Sequence, residues 1–343
     1  MGIRVYVIRR ILMLIPTLIG LSLLVFAVMQ MFSPTQRAVA FVRSTAQMRN
    51  LPLIIEQYGL NDPVHVQYMV WINELFRGNL GFSRTYHSPV LRILLSRAAA
   101  TAELVIYSAP PTIILGIYLG VKSAIHRDKA IDHATRTFSI IGWSLPTFWL
   151  AIILLSIFYA GLQWFPPGRL GADANIFVHS EQWITYTGLL TIDGLLNRQF
   201  WVSLDALRHL VLPVITLTVV QIALIVRVMR SSMLEALGKG YIVTAKAKGL
   251  SQKEVINKHA RRNALIPVIT VSGILTAGML TGVVITETVF NFHGLGEFAA
   301  TAATQLDFPA VLGFALLSGI IFLVANLIVD ILYAYVDPRI RLG

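Results

Sequence analysis

The chain has 343 residues, of which 56% are hydrophobic and only 13% are charged, whereas an ordinary soluble domain carries about a quarter charged residues. Such a chain cannot cover a soluble fold with polar surface, so the composition indicates a membrane protein, and the excess of Lys and Arg over Asp and Glu, 28 to 17, is typical of cytoplasmic loops rather than of a nucleic-acid site. The absence of cysteine excludes disulfides, thiolate metal sites and cysteine nucleophiles.

Six stretches are long and apolar enough to cross about 30 Å of hydrocarbon. Because these runs are near-continuous rather than alternating, they predict helices and not β-strands. We therefore expect an all-α, polytopic membrane protein with six transmembrane helices, forming one transmembrane domain over residues 1–343. The predicted spans are residues 11–32, 104–121, 138–162, 210–226, 267–288 and 309–334.

The distribution of basic residues predicts the orientation of these spans. Residues 1–10, 122–136, 227–262 and 335–343 together hold 18 of the 28 Lys and Arg residues. The intervening segments are nearly twice as long in total and hold only 10. Because basic residues concentrate in cytoplasmic loops, we expect both termini in the cytoplasm and residues 33–103 on the outside.

The long outside segment contains two local patterns. Ser88 before Pro89 predicts a helix start, since a capping hydroxyl would precede a proline at the first helical position. A second pattern, of apolar side chains at helical spacing, predicts an amphipathic helix on the membrane surface or against the bundle. Its members are Val64, Tyr68, Trp71, Leu75 and Phe76.

Ionisable residues are nearly absent from the predicted spans. Glu287 lies at the outer end of the fifth span and Asp330 near the inner end of the sixth. Capping or ion pairing at a helix end explains such acids, and a role in transport is the alternative. An ion-coupled carrier is expected to place acids or broken helices near the midplane, and we expect neither in these spans.

Small and hydroxylated residues mark two further features of the spans. The pairs Gly116/Gly120 and Gly278/Gly282 have the Gly-x-x-x-Gly spacing that lets helix backbones approach closely. The fifth span is also rich in hydroxyl groups, which serve either helix-to-helix hydrogen bonding or a polar translocation path. The candidates for the path are Thr276, Thr281 and Thr286.

Residues 231–266 are predicted to form a basic cytoplasmic loop made of a helix, a glycine and a second helix. Gly249 separates the two helices, and Ser251 with Glu254 matches a capping box. The first helix has apolar residues at helical spacing, namely Met233, Leu234, Leu237, Tyr241 and Ala245. An amphipathic helix of this kind fits a groove on a partner protein better than it fits a solvated loop near anionic lipid.

This loop resembles the coupling loop of the dipeptide/oligopeptide branch of ABC importer permeases, the binding-protein-dependent transport system inner-membrane components. Residues 231–266 are therefore called the coupling loop from here on. The resemblance rests on residues 241–250 (Tyr-Ile-Val-Thr-Ala-Lys-Ala-Lys-Gly-Leu) and 259–267 (His-Ala-Arg-Arg-Asn-Ala-Leu-Ile-Pro). It extends in order over nearly the whole chain. The further motifs are Arg9-Arg10, Gly78-Asn79-Leu80-Gly81, Ser88-Pro89-Val90, Trp164-Phe165-Pro166, Glu287-Thr288-Val289-Phe290, Gly294-Leu295-Gly296 and Asp337-Pro338-Arg339.

This resemblance implies a multi-pass permease subunit of the cytoplasmic (inner) membrane that forms half of a translocation path for peptides. It implies as partners a second homologous permease, two cytoplasmic ATPase domains and an extracytoplasmic substrate-binding protein. The branch also includes importers of nickel chelates and oligosaccharides, and an ion-driven secondary transporter is the rival from another class. The residues it implies for ATPase coupling are Thr244, Ala245, Lys246, Ala247, Lys248, Gly249 and Leu250. The broader superfamily has an acid six residues before this glycine, where this chain has Val243.

The sequence contains no motif for nucleotide chemistry. Gly238-Lys239-Gly240 lacks both the spacing and the hydroxyl of a phosphate-binding loop. No Ser/His/Asp or metal-ligand constellation has usable spacing either. We therefore expect a chain that is not an enzyme and holds no cofactor or metal, with ATP and Mg on the partner subunits.

The predicted orientation can be tested by labelling single cysteines, since the chain has none of its own. A cysteine at position 45 should react with an impermeant thiol reagent in intact cells, because residues 33–103 are expected outside. A cysteine at position 250 should react only after the cells are permeabilised. The reverse labelling pattern would contradict the predicted topology.

Overall fold

The computed structural model describes residues 3–336, which fold into α-helices joined by short turns and one small hairpin. The all-α fold class is confirmed, although the termini's side of the membrane stays a prediction. The helices are α1 (Ile3–Gln30), α2 (Pro34–Ala38), α3 (Thr45–Met48), α4 (Leu51–Gln57), α5 (Val64–Phe76), α6 (Val90–Ile125), α7 (Ala130–Ser144), α8 (Thr147–Leu154), α9 (Ala172–Val178), α10 (Leu190–Leu196), α11 (Phe200–Leu237), α12 (Gly240–Ala247), α13 (Gln252–Glu254), α14 (Arg261–Leu280), α15 (Val284–Val289), α16 (Leu295–Thr304) and α17 (Phe308–Val336).

Shorter elements connect these helices. A 3₁₀ turn at Val39–Phe41 follows α2, and π-helical stretches follow α8 at Leu155–Gly161 and α13 at Val255–Ala260. Strands β1 (Phe82–Ser83) and β2 (Ser88–Pro89) pair antiparallel, with Phe82 opposite Pro89. The motif Asp337-Pro338-Arg339 lies outside the described residues.

Five helices of the described chain are long and apolar enough to cross a membrane, and a bent pair would be a sixth span. The five are Val7–Gln30, Val90–Ile125, Phe200–Leu237, Gln252–Leu280 and Phe308–Ile331. Each overlaps one predicted span, and α6 and α11 extend well beyond theirs, to 36 and 38 residues. The exact membrane boundaries of the spans stay predictions.

The third predicted span, residues 138–162, is not one straight helix. The axes of Ala130–Ser144 and Thr147–Gly161 meet at 98°. Leu145 has an extended backbone (ψ 125), because a residue before proline avoids the helical region and Pro146 has no N–H to donate. In contrast, α6 continues through Pro110 and Pro111.

The fifth predicted span, residues 267–288, is also interrupted. Helix α14 ends at Leu280, and α15 begins only at Val284. Between them Gly282 has a φ of +112°, and a Cβ atom on it would lie 2.3 Å from the backbone nitrogen of Gly296. The turn is therefore made by two backbones in contact, which only glycine permits at this point.

The centre of the fold is the contact between α6 and α11. A Cβ atom on Gly116 would lie 2.6 Å from the Cβ of Ile225, and one on Gly120 would lie 2.6 Å from that of Met229. The first glycine pair is thus confirmed as a site of close helix approach. The second pair is different, because Gly278 faces open space and Gly282 lies in a turn.

The predicted amphipathic helix of the outer segment is α5. It buries Trp71 against Phe26 of α1, with ring centroids 5.6 Å apart. Val64 and Phe76 at its two ends remain exposed. A helix does begin directly after Ser88-Pro89, at Val90, but the predicted hydroxyl cap is wrong, because Ser88 pairs in β2 and α6 has no side-chain cap.

We expect Gly120→Leu to destabilise the protein, because the new side chain must displace Met229 or push α6 away from α11. Overpacking of this kind costs about 1–3 kcal/mol or more. The measurement is the thermal unfolding of the purified chain in detergent. Gly20→Leu is the matched control, since a Cβ atom on Gly20 of α1 meets nothing within 4 Å. Equal melting temperatures for the two variants would contradict the assigned packing.

Candidate functional site

The coupling loop is built from the end of one long helix and the beginning of another. Helix α11 continues to Leu237, where Gly238 ends it, and α12 follows separately at Gly240. The predicted first loop helix is therefore two helices rather than one. After the next turn, α13 and the π-helical stretch pass directly into α14, so that Gln252–Leu280 forms one continuous helix.

Gly249 makes the turn that the sequence predicts. Its φ is +79°, a region that favours glycine. The N–H of Gly249 donates to the carbonyl of Lys246 (2.9 Å), and that of Leu250 donates to Ala245 (3.4 Å). This is the Schellman arrangement that closes a helix C-terminus. A Cβ atom on Gly249 would meet nothing within 4 Å, so its backbone angle alone requires glycine.

The capping box after this turn is confirmed. The hydroxyl of Ser251 accepts from the backbone N–H of Glu254 (3.3 Å), and the Glu254 carboxylate accepts from the backbone N–H of Ser251 (3.0 Å). These two bonds satisfy donors that a helix N-terminus leaves free. The turn between α12 and α13 is thus defined on both sides by local hydrogen bonds.

An apolar cluster fixes the coupling loop to the end of α11. Ile242 of α12 and Val255 of the π-helical stretch are buried in the same cluster as Met229 and Met233 of α11. Ala245 is also buried there. The loop is therefore a packed structural unit and not a flexible connection.

The residues implied for coupling divide into two groups. Ala245 is buried and Leu250 half-buried, so both anchor the loop to the rest of the chain. Val243, in the position where the superfamily has an acid, is 66% exposed. The remaining implied residues are exposed, namely Thr244, Lys246, Ala247, Lys248 and Gly249. Their role in coupling stays a prediction.

The exposed surface of the loop is strongly basic. It has two exposed acids, Glu235 and Glu254. Its exposed basic residues are Lys239, Lys246, Lys248, Lys253, Lys258, Arg261 and Arg262. The exposed apolar side chains of Tyr241 and Val243 lie beside this positive charge. Such a surface complements a groove that has an apolar floor and an acidic rim.

A buried ion pair fixes the end of α11 that leads into the coupling loop. Arg230 of α11 donates from Nε and Nη2 to the two carboxylate oxygens of Asp132, both at 2.7 Å. Asp132 is fully buried and also accepts from the hydroxyl of Ser123 and the backbone N–H of Asp128. This bidentate ion pair joins the start of α7 to α11 and restricts the rotation of α11.

At the opposite end of the bundle, Glu287 of α15 is fully buried. Its carboxylate accepts from the hydroxyl of Thr101 (2.8 Å) and from the backbone N–H groups of Val283 (3.3 Å) and Glu297 (2.9 Å). Helix-end capping is therefore its observed role, at the N-termini of α15 and α16. Asp330 has the other role predicted for these acids, which is ion pairing, because its carboxylate lies 3.0 Å from Nη1 of Arg10 in α1.

Another buried acid, Glu103, lies in the first half of α6, thirteen residues after the helix begins at Val90. Glu103 accepts from Nη2 of Arg169 (2.6 Å) and from the backbone N–H (2.8 Å) and hydroxyl (2.9 Å) of Thr191. These bonds attach the segment between α8 and α11 to the bundle. Asp132, Glu287 and Glu103 thus all have hydrogen-bonded partners, as a buried carboxylate requires.

The Gly78–Gly81 motif forms a turn around Glu74. Burial by itself raises the pKa of the Glu74 carboxyl, but hydrogen bonds from Arg43 (2.7 Å) and Asn79 (2.7 Å) outweigh it and lower the pKa. Asn79 also donates to the carbonyl of Phe41 (3.1 Å). Gly81 has a φ of +87°, and its backbone touches Ala40. The motif is therefore a structural turn of the outer segment.

Sequence reasoning missed the partners of these buried acids. Asp132 and Arg230 are 98 residues apart, and Glu103 and Arg169 are 66 apart. No local spacing connects such positions. The one available indication was that each acid lies beside the end of an apolar run, where a carboxylate needs a partner.

The three threonines proposed for the translocation path lie in different surroundings. Thr276 lines a groove between α6, α14 and α17 whose other walls are mainly Ile and Val side chains. The Thr281 hydroxyl donates to the carbonyl of Gly278 (2.8 Å). Thr286 is buried in α15. Their assignment to the path stays a prediction.

Comparison with known proteins identifies similar chains over nearly the full length. Residues 112–342 match the family model described as binding-protein-dependent transport system inner membrane component, and residues 3–116 match the model for its N-terminal part. The dipeptide transport system permease protein of Alkalihalophilus pseudofirmus is 37% identical over 336 residues, which is 98% of this chain and 99% of the relative.

Two further relatives transport related compounds according to their names. The oligopeptide transport system permease protein of Bacillus subtilis is 35% identical over 340 residues, covering 98% of this chain and 99% of its own. The probable D,D-dipeptide transport system permease protein of Escherichia coli is 40% identical over 291 residues, covering 84% of each chain. The matched regions thus span nearly all of the chain, including residues 231–266.

Proposed function

Because the chain belongs to the family of binding-protein-dependent transport system inner membrane components, we propose that it is the permease subunit of an ATP-driven importer of short peptides. Membership of this family makes it a multi-pass component of the inner membrane. The observation that carries the proposal is the near-full-length similarity to relatives named for dipeptide and oligopeptide transport. Import of nickel chelates or oligosaccharides by the same kind of assembly is the alternative.

The proposed assembly contains a second homologous permease, two cytoplasmic ATPase domains and an extracytoplasmic substrate-binding protein. Dependence on a binding protein is part of the family description. The apolar surfaces of α1 and α17 support the membrane setting, because α1 leaves most of its large apolar side chains exposed and α17 fully buries few of its own, namely Leu316 and Val329.

The coupling loop is the proposed docking surface for an ATPase domain. Its exposed residues from Val243 to Gly249 lie on a packed support, and the surrounding charge is basic. A partner groove with acidic residues at its rim would complement this charge. The fixed turn at Gly249 holds α12 and α13 at a set angle, which a docking element needs for a defined fit.

The same loop is connected mechanically to the membrane helices. Gln252–Leu280 is one continuous helix of 29 residues. If an ATPase domain moves the loop, α14 should therefore move with it as far as Leu280, because the helix is continuous up to that residue. The π-helical stretch at Val255–Ala260 lies within this helix, and such stretches are frequent at functional sites.

Reconstitution tests the energy source. The assembly in proteoliposomes should take up a dipeptide only when its binding protein is present on one side of the membrane and ATP is present on the side of the ATPase domains. This uptake should continue when the ion gradients are collapsed. The isolated chain should bind no nucleotide, since it has no phosphate-binding loop. Uptake driven by an ion gradient without ATP would favour a secondary transporter and overturn the proposal.

We expect Gly249→Val to leave the chain expressed and inserted while transport and substrate-stimulated ATP hydrolysis collapse. A side chain with positive φ costs about 1–2 kcal/mol of strain, and a β-branched one fares worse. The turn between α12 and α13 would relax to another angle, so the docking surface would lose its shape. Uptake and ATP hydrolysis are measured together on the reconstituted assembly.

Gly240→Val is the matched control for this experiment. Gly240 is also an exposed glycine of the loop, and a Cβ atom on it meets nothing within 4 Å. Its φ is not positive, so a side chain there is not strained. The control should keep nearly normal coupled activity. Normal activity in Gly249→Val would mean that the loop is only a connector.

A further inference from the structure

A single carboxamide lies in a groove near the middle of the apolar part of α11. Gln221 is close to the centre of both α11 and the predicted span 210–226. It is half-buried, and no described residue donates to or accepts from its side chain. Polar side chains at this depth are costly unless they have a partner, and they usually mark a functional position.

The groove beside Gln221 lies between α11 and α14. It encloses about 520 Å³, within the roughly 300–1,000 Å³ of small-ligand sites. Leu224 and Leu275 are among its apolar walls, and Gly278 opens one side because a Cβ atom there would meet nothing. A glycine that contacts no other helix leaves its backbone accessible to a ligand.

The break between α14 and α15 reaches the same groove. Gly282 and Val283 belong both to the interruption and to the groove lining. Non-helical backbone at membrane depth is tolerated only where it is buried in protein or lines a water-filled cavity. Part of this break is buried against the backbone of Gly296, and Gly282 and Val283 place the rest of its non-helical backbone at the wall of the groove.

We infer that the groove around Gln221 is a segment of the translocation path, in which the Gln221 carboxamide hydrogen-bonds the backbone amide groups of the passing peptide. The inference rests on the proposed function. A primary amide has one acceptor oxygen and two N–H donors, so it can pair with both the N–H and the C=O of a peptide bond. Since every peptide has this group, the contact is independent of side-chain sequence.

The neutrality of Gln221 fits this role. A fixed charge in the middle of the path would bind oppositely charged peptides and repel like-charged ones, because electrostatic interactions are strong in a low-dielectric site. None of the described residues that line this groove is charged. The buried acids Glu103 and Asp132 pair with Arg169 and Arg230 outside it. Glu287 lies next to the groove, because its carboxylate accepts from the backbone N–H of Val283, but it is fully buried. The path past Gln221 therefore admits peptides of either charge.

The test uses the full reconstituted assembly with Gln221→Leu and Gln221→Glu. Gln221→Leu should lower the uptake of a neutral dipeptide about tenfold, the scale of one hydrogen bond lost in an apolar site. Gln221→Glu should slow acidic dipeptides more than basic ones, whereas the wild type should transport both at similar rates. Copurification of the partner subunits should be unchanged for both variants.

Asn326→Leu is the matched control. Asn326 is also a carboxamide in an apolar helix, but it lies on the exposed face of α17 and outside this groove. Its replacement removes the same chemical group and should leave uptake unchanged. Loss of uptake in Asn326→Leu with normal uptake in Gln221→Leu would overturn the inference.

The remaining outcomes separate the inference from the proposed function. A wild-type assembly that takes up no peptide would overturn both. Wild-type uptake with normal transport by Gln221→Leu would overturn the inference alone. Loss of partner subunits in Gln221→Leu, or an equal loss of acidic and basic dipeptide uptake in Gln221→Glu, would assign Gln221 to helix packing and also overturn it.

Discussion

In hydrocarbon, apolar side chains gain little by leaving lipid for one another, so helices associate through close packing and polar contacts. Gly116 and Gly120 meet this requirement for α6 and α11, because the backbone of α6 lies directly against Ile225 and Met229. These two helices are the longest in the described chain. Every other element near the coupling loop is positioned relative to α11, so this close approach determines where the loop lies.

Buried charged groups add ion pairs and hydrogen bonds that fix the helices which close packing brings together. Asp132 with Arg230 fixes one end of α11, and Glu103 with Arg169 joins the first half of α6 to the segment between α8 and α11. Glu287 binds backbone N–H groups at two helix starts. Asp132 and Glu287 lie near helix starts, whereas Glu103 lies within α6 and is paired with Arg169. The side chains around the open groove between α11 and α14 are uncharged, and Gln221 is the polar one among them.

One continuous helix connects the coupling loop to this groove. Gln252–Leu280 has 29 residues, or about 44 Å at 1.5 Å per residue. It begins at the capping box that follows Gly249 and ends at the break that lines the groove. An event at the loop can therefore change the groove without any intervening break in the helix, which is the physical basis of the proposed link between a partner ATPase and transport.

Local features of the sequence determined much of this protein. Long apolar runs predict helices, since only a helix satisfies its own backbone hydrogen bonds in lipid, and the turn at Gly249 and the capping box depend on neighbouring residues alone. The resemblance in the coupling loop also indicated the family that the comparisons identify. Each of these depends on residues that are close together in the chain.

The tertiary structure alone decided the contacts between distant residues. The break at Gly282 exists because the backbone of Gly296 occupies the space beside it, and Arg230 meets Asp132 across 98 residues of chain. The threonines of the fifth span were chosen as path candidates from their hydroxyl groups, whereas the free carboxamide of Gln221 became evident only with its groove. A sequence pattern indicates that a side chain needs a partner, but only the packing of the helices determines which distant residue can reach it.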